Sequence, residues 1–155
     1  MIVRHGEDRD TVRAVTLLRD SREAAGFDDP RGQTGFSFPF VPSYAARLFQ
    51  FHLNHLDACA LVLDVEGRAE GLLLAVASEH PFGPVKLARE TVWWIDPAHR
   101  GKGAIKMLDA YEAWAAAREC TFAGMAGMGK DPEVAKLYRR RDFGVAETHF
   151  LKALG

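Results

Sequence analysis

At 155 residues the chain is long enough to bury one good core and too short for two ordinary domains. Apolar residues at 48% and charged residues at 26% are the balance of a globular chain, and a formal charge of −1 argues against a general nucleic-acid binder. The charged start MIVRHGEDRD lacks the apolar centre of a secretory signal, and no window nears the ~18 uninterrupted apolar residues of a membrane span.

Ile2-Val3-Arg4 predicts a short first strand, and Asp8 or Asp10 is placed to cap the helix that follows. Ala14, Leu17, Leu18, Ser21 and Ala25 recur at helical spacing, so a helix is expected over about 9–25 with Gly26 as its stop. The next stretch, GFDDPRGQTGFSFPFVP, carries glycine, proline and four phenylalanines. It reads as a long loop, either a lid or a structural loop filled by its own rings. A second helix is expected from Ser43, with Tyr44, Leu48, Phe51 and His55 on one face. His52 and His55 lie three apart, but with no third ligand in view they read as ordinary helix histidines.

Two β-like runs, Ala58 to Val65 and Ala69 to Ser78, flank Glu66-Gly67-Arg68 and predict a hairpin. His80-Pro81-Phe82-Gly83-Pro84 is a turn-rich connection into the strand that carries Glu90 to Ile95. Side chains alternate along a strand, so Trp93 and Trp94 point to opposite faces and both faces must be covered. Glu90 is expected on the face of Val92 and Trp94. Met107, Tyr111 and Trp114 line the following helix, which is expected to run to about Arg118. Thr121 to Met128 predicts a strand parallel to the one before it. Asp131-Pro132 opens a helix, PEVAKLYRRRDF, and Ala146 to Leu154 alternates as a closing strand. The Arg139-Arg140-Arg141 cluster reads as a solvated helix face. Cys59 and Cys120 sit in apolar company without metal-ligand spacing, as reduced core thiols of a cytoplasmic protein do. No repeat or linker interrupts the chain, so 1–155 reads as one domain.

The chemistry concentrates between Glu90 and Tyr111, ETVWWIDPAHRGKGAIKMLDAY. A strand passes through the basic turn Arg100-Gly101-Lys102-Gly103 into a helix. The first N–H groups of a helix have no internal partner and sit at the positive end of its dipole, so this turn can cradle an anion. Gly101 and Gly103 would let it approach the backbone, and Arg100 and Lys102 would add charge. An ordinary strand-to-helix turn is the plain alternative. The turn lacks G-x-x-x-x-G-K-[ST], and Lys106 stands where a G-x-G-x-x-G fingerprint has its last glycine.

Pro97, Arg100, Gly101 and Gly103 nevertheless match motif A of the GNAT acetyltransferases, and Ala135-Lys136-Leu137-Tyr138-Arg139-Arg140-Arg141-Asp142-Phe143 resembles the family's late A-x-x-x-Tyr-x-x-x-Gly-Phe signature. The departures are Ile105, where the family has a small residue, Asp142, where it has Gly, and the lack of its Asn within Gly129-Lys130-Asp131. The run Trp-Trp-Ile-Asp-Pro is more weakly similar to family members encoded by tailed bacteriophages. The resemblance implies an α/β (α+β) GNAT fold, one mixed central sheet in the order β-α-α-β-β-β-α-β-α-β, with a parallel pair that splays at the cofactor site.

The same resemblance implies acetyl-coenzyme A as cosubstrate and no metal. Its pyrophosphate would lie on the turn made by Arg100, Gly101, Lys102, Gly103, Ala104 and Ile105. The pantetheine arm would pair with the strand edge, with an N–H near Trp94 or Ile95 facing the thioester oxygen. Tyr138 would protonate the leaving thiolate, and a reference pKa of about 10 keeps its proton on at neutral pH. Glu90 would take the amine proton; a solvated strand-end carboxylate and a packing aromatic are the plain readings of Glu90 and Tyr138. The implied reaction is acetyl transfer to a primary amine, of a small molecule, peptide or protein, by direct attack. The acceptor would enter between the 26–42 loop and the C-terminal strands, with no nucleic acid or membrane as partner and a homodimer left open. A non-catalytic coenzyme A-binding or interaction module on the same fold is the second reading.

Overall fold

The computed structural model describes residues 1–127 and 133–154. Its frame is one five-stranded sheet in the order β1-β2-β3-β4-β5, formed by Ile2–His5, Ala58–Val65, Arg68–His80, Gly83–Ile95 and Phe122–Gly124. The first four strands are antiparallel neighbours and β4–β5 is parallel. Two-residue turns close both long hairpins, at Glu66-Gly67 and at Pro81-Phe82. In the first, both residues take positive φ, 53° and 84°, as the right-handed twist of a hairpin demands.

Helices cover both faces. α1 (Thr11–Ala24) and α2 (Pro42–Asn54) pack on one, through Ala14, Leu17, Phe49, Val62, Leu72 and Leu74. α3 (Lys102–Ala117) packs on the other, through Met107, Tyr111 and Ala115 against Leu61, Leu63, Leu73 and Ala75. Leu72 and Leu74 alternate with Leu73 and Ala75, and all four are buried, which is why β3 carries an uninterrupted apolar run. Trp93 joins the α3 side and Trp94 the α1/α2 side, as their adjacency requires.

Several expectations need correction. The buried face of α2 is Ala45, Phe49 and His52, whereas Tyr44 is 64% and Phe51 46% exposed. The aromatic pattern misled because Tyr44 is held outside under Arg47, its ring centroid 5.7 Å from the guanidinium carbon. Asp10 does not cap α1 with its side chain; it is buried in a two-pronged ion pair with Arg4, whose Nε also donates to Asp64 at 2.7 Å, tying β1 to β2. The 26–42 stretch contains no helix or strand before α2 and closes on itself, Phe27 and Phe38 meeting edge-on at 5.0 Å. β5 stops at Gly124, well short of Met128, and residues 128–132, including Gly129-Lys130-Asp131-Pro132, lie outside the described residues.

The segment 146–154 forms no strand. Its alternation holds no ladder: Phe150 is 93% and Leu151 56% exposed, so neither parity of side chains finds a core to enter. The arginine cluster also divides. Arg139 and Arg140 are exposed on α4 (Ala135–Arg140), while Arg141 turns back to Asp109 at 2.7 Å and Glu112 at 2.8 Å, clamping the end of α4 to α3. Asp142 follows with φ of 62°, the left-handed conformation that suits glycine.

Asp142→Gly should therefore stabilise the fold, by ~0.5–1 kcal/mol after allowing for the greater entropy of glycine in the unfolded chain. Urea denaturation checks this; a destabilised variant would show that the aspartate contributes more than its backbone strain costs.

Candidate active site

The site lies where β4 and β5 part. They pair only as Leu87 with Phe122, Ala88 with Ala123 and Arg89 with Gly124; beyond Arg89 no described residue pairs with that edge of β4. Three side chains hold the diverging backbone of 124–126 in place. Tyr111 Oη, from the middle of α3, donates to Gly124 O at 2.8 Å. Ala126 N donates to Glu90 Oε2 at 2.8 Å, and Tyr138 Oη, from α4, donates to Ala126 O at 2.8 Å. A carboxylate and a phenol thus meet the two polar groups of a single residue. Trp93 stacks on the Tyr138 ring at 6.1 Å, and Phe143 packs on its other neighbourhood at 5.6 Å.

Glu90 does not share a face with Val92 and Trp94, as strict alternation predicts. Leu74 pairs with Val92 but Ala75 pairs with Glu90, so Thr91 is an extra residue in β4, a β-bulge. The bulge moves everything before it to the opposite parity. Ala88, Glu90, Trp93 and Ile95 therefore face α3, with the Glu90 partner Ala75 buried in that core. Thr91 points the other way, its hydroxyl 2.9 Å from Nε2 of buried His52.

Burial sets the chemistry. Glu90 is pushed up from 4.5 to about 7 by desolvation, which the Ala126 N–H only partly offsets. Tyr138 is raised by burial first and then by the nearby charge of Glu90 and by Tyr111, so it keeps its proton throughout the neutral range. Tyr111 is raised for the same leading reason. The result is a carboxyl group that titrates near neutrality beside a phenol that does not, a pairing suited to a base and an acid with separate duties. His52 is lowered by burial and stays neutral; Nδ1 faces the Leu48 carbonyl at 2.8 Å and must donate, which leaves Nε2 to accept from Thr91.

On the turn, Asp96 caps a short 3-10 turn over Pro97–His99 by accepting from Ala98 N at 3.0 Å. Gly101 follows at φ 77° as the N-cap of α3; it needs glycine for its conformation, and it has no side chain to satisfy the first N–H groups of the helix. The N–H groups of Lys102, Gly103 and Ala104 therefore open the helix without a side-chain cap.

Gly103 also has a packing reason to be glycine. A Cβ there would lie 2.7 Å from Leu63 Cδ2, so the glycine lets α3 sit close on β2. Arg100 is also more constrained than a free anion contact: its Nε donates to Ile95 O at 3.1 Å and its guanidinium lies 4.7 Å from the centre of the Trp94 ring. Lys102 is exposed, Ala104 is buried, and Ile105 is 45% exposed rather than packed in the core. Glu90 and Tyr138 are thus brought together, while Trp94 and Arg100 form a second unit on the far face of β4. Thr91, His52, Tyr111 and Ala126 had no motif to announce them; a β-bulge carries no composition signal of its own. Among the described residues no group of three or more His, Cys, Asp or Glu side chains converges, and no helix is long and apolar enough to cross a membrane. Both cysteine thiols are free, and burial pushes Cys59 up to about 12.

The family model described as Acetyltransferase (GNAT) family matches residues 25–144. The match spans most of the chain and includes the turn, Glu90 and Tyr138, and the chain belongs to that family. No curated protein sequence matches it. Among solved structures it is similar to a ribosomal-protein-alanine N-acetyltransferase from Brucella melitensis biovar Abortus 2308, with TM-score 0.69, 20% identity, and 99% of this chain and 100% of that one covered. A predicted acetyltransferase with acetyl-CoA from Clostridium acetobutylicum gives TM-score 0.74 and 14% identity over 97% and 94% of the two chains. An aminoglycoside acetyltransferase from an uncultured soil metagenomic sample, in complex with trehalose, gives 0.71 and 18% over 99% and 95%. At these identities the likeness is one of fold, a mixed α+β sheet with a parallel pair that opens.

The raised Glu90 pKa has a consequence for stability that needs no substrate. The folded chain holds this proton up to about pH 7 and the unfolded chain releases it near 4.5, so stability falls as pH rises between the two and the full penalty applies above 7. Glu90→Gln removes that penalty while its amide oxygen can still accept from Ala126. The variant should match the parent near pH 4 and exceed it at pH 8 by up to ~3 kcal/mol in urea denaturation. Equal stability at pH 8 would mean that Glu90 titrates like a solvated carboxylate.

Proposed function

We propose that the chain is an acetyl-coenzyme A-dependent N-acetyltransferase that moves an acetyl group to a primary amine by direct attack. The observation that carries this is the placement of Glu90 and Tyr138 on the two polar groups of Ala126, at the point where β4 loses its parallel partner. The cosubstrate supplies an activated acetyl thioester and a pyrophosphate. The uncapped N–H groups at the start of α3, with Lys102 beside them, suit the pyrophosphate, and the open edge of β4 over 90–95 suits an extended pantetheine arm. Of the N–H groups at Trp94 and Ile95, that of Ile95 is the candidate donor to the developing oxyanion: Asp96 N donates to Glu70 O, and alternation turns the Trp94 N–H toward β3 as well.

The residues divide the work by charge. Glu90 near pH 7 is half ionised where most primary amines are protonated, so its carboxylate takes the ammonium proton that must leave before the nitrogen attacks, and passes it to solvent. Tyr138, still protonated, gives its phenolic proton to the sulfur as the C–S bond breaks. The second proton, which the nitrogen sheds once the C–N bond has formed, returns through solvent to the Tyr138 phenolate, so that both residues are restored. Trp93 stacking on the Tyr138 ring fixes where that proton is offered. The acceptor would reach this point past the 26–42 loop, in which Phe27 and Phe38 meet edge-on. Two of the departures from the family pattern do not argue for a non-catalytic module: Asp142 adopts the glycine conformation, and Ile105 sits at an exposed position.

Tyr138→Phe deletes one hydroxyl and retains both ring contacts. Turnover with a reactive amine, followed by thiol release, should drop by roughly 10²-fold or more, while the KM for acetyl-coenzyme A changes little and the folded stability falls by only about 1 kcal/mol for the lost bond to Ala126 O. Turnover comparable to the parent's would return Tyr138 to a packing role.

A further inference from the structure

We propose that Thr91 and His52 act as a positioning pair for Glu90, their hydrogen bond pinning the extra residue of β4 at position 91 and so keeping the Glu90 carboxyl on the α3 face beside Tyr138. The proposal rests on the reading of Glu90 as the base, but its physical content does not require turnover.

Register on either side leaves one freedom. Leu87 to Arg89 are fixed twice, by β3 and by β5, and Val92 to Ile95 are fixed by β3 and by the two tryptophans packed on opposite faces. The one residue that β4 has in excess can be accommodated at 90 or at 91. At 91, Glu90 opposes Ala75 and faces α3; at 90, Thr91 would take that place and the carboxylate would be turned out of it. Nothing in the β-propensity of the two residues selects between these as strongly as a hydrogen bond to a buried imidazole does, although Thr91 itself is exposed.

His52 supplies that bond. It is 2% exposed, on the inner face of α2, with its ring fixed at both nitrogens: Nδ1 to the Leu48 carbonyl one turn back, and Nε2 to the Thr91 hydroxyl at 2.9 Å. If the bulge moved to 90, Nε2 would be buried without its donor, and that cost opposes the move. The groups that face Glu90 are Tyr111 from α3, Tyr138 from α4 and the Ala126 N–H, whereas His52 is met by Thr91 and, along its own helix, by His55. The positioning pair is thus on the opposite side of the sheet from the group that it positions.

Two measurements test this on the whole chain. In the parent, long-range 15N–1H correlations should find His52 as the neutral Nδ1–H tautomer with Nε2 unprotonated; an Nε2–H tautomer overturns the proposal without any variant. Thr91→Val keeps the shape and the β-branch but not the hydroxyl, and Thr91→Ser keeps the hydroxyl. Carboxyl 13C titration should show the Glu90 midpoint near the parent's in Thr91→Ser and lowered by about one pH unit or more in Thr91→Val, toward the ordinary ~4.3. Turnover at neutral pH should fall ~10-fold or more in Thr91→Val and recover in Thr91→Ser, with the KM for acetyl-coenzyme A within about twofold. A Thr91→Val protein whose Glu90 titrates as in the parent overturns the pair. A shifted midpoint in Thr91→Val, together with unchanged turnover in Glu90→Gln, upholds the pair and removes only the base assignment.

Discussion

One extra residue in β4 governs the geometry of the site. A strand offers its side chains to alternate faces, so without a bulge the tryptophan pair and Glu90 could not occupy their present faces together. Trp93 is required on the α3 side and Trp94 on the other, and strict alternation from these would turn Glu90 toward α1 and α2, away from Tyr111 and Tyr138. Inserting Thr91 satisfies both demands: the core keeps its tryptophans and the carboxyl is delivered to the face where the phenols are.

The second constraint is that β5 is only three residues long in its pairing. A parallel partner that stopped no sooner would cover the edge of β4 and leave no opening beside Glu90. The chain keeps the opening from collapsing by holding the departing backbone with side chains instead of a ladder: Tyr111 on Gly124, Glu90 and Tyr138 on Ala126. These contacts draw on different helices, and Arg141 clamps the second of those helices to the first through Asp109 and Glu112. The same removal from water that makes the contacts firm raises the pKa of Glu90, so support of the backbone and tuning of the carboxyl have one cause.

The strands and helices that could be read from the sequence were those whose own residues carry the pattern. Ala58 to Val65 is a strand whose positions are all apolar but Asp64 and which a turn follows, and the α3 face follows from Met107, Tyr111 and Trp114 at helical spacing. Reading failed where a residue's place depends on a partner distant in sequence. Asp10 looked like a cap but is claimed by Arg4, and the face of α2 that carries Phe51 is not the one the sheet buries, which is that of Phe49 and His52. The packing of Gly103 could not be read either, since its tight neighbour is Leu63, forty residues earlier. The tail 146–154 alternates convincingly, but alternation makes a strand only where an edge receives it. Glu90 and Tyr138 were legible as candidates, while the bulge that unites them was not, since a threonine in a strand is ordinary whether it pairs or not.

The account stands on the open edge of β4 and the start of α3 being one continuous binding surface next to Glu90. Amide hydrogen exchange with and without saturating acetyl-coenzyme A reads this directly. Slowed exchange is expected at two separate places, the 93–95 stretch of β4 and the 102–104 opening of α3, with little change in α1 and α2 away from the 26–42 loop. Protection confined to the α1/α2 side, or none at either place despite demonstrated binding, would contradict it.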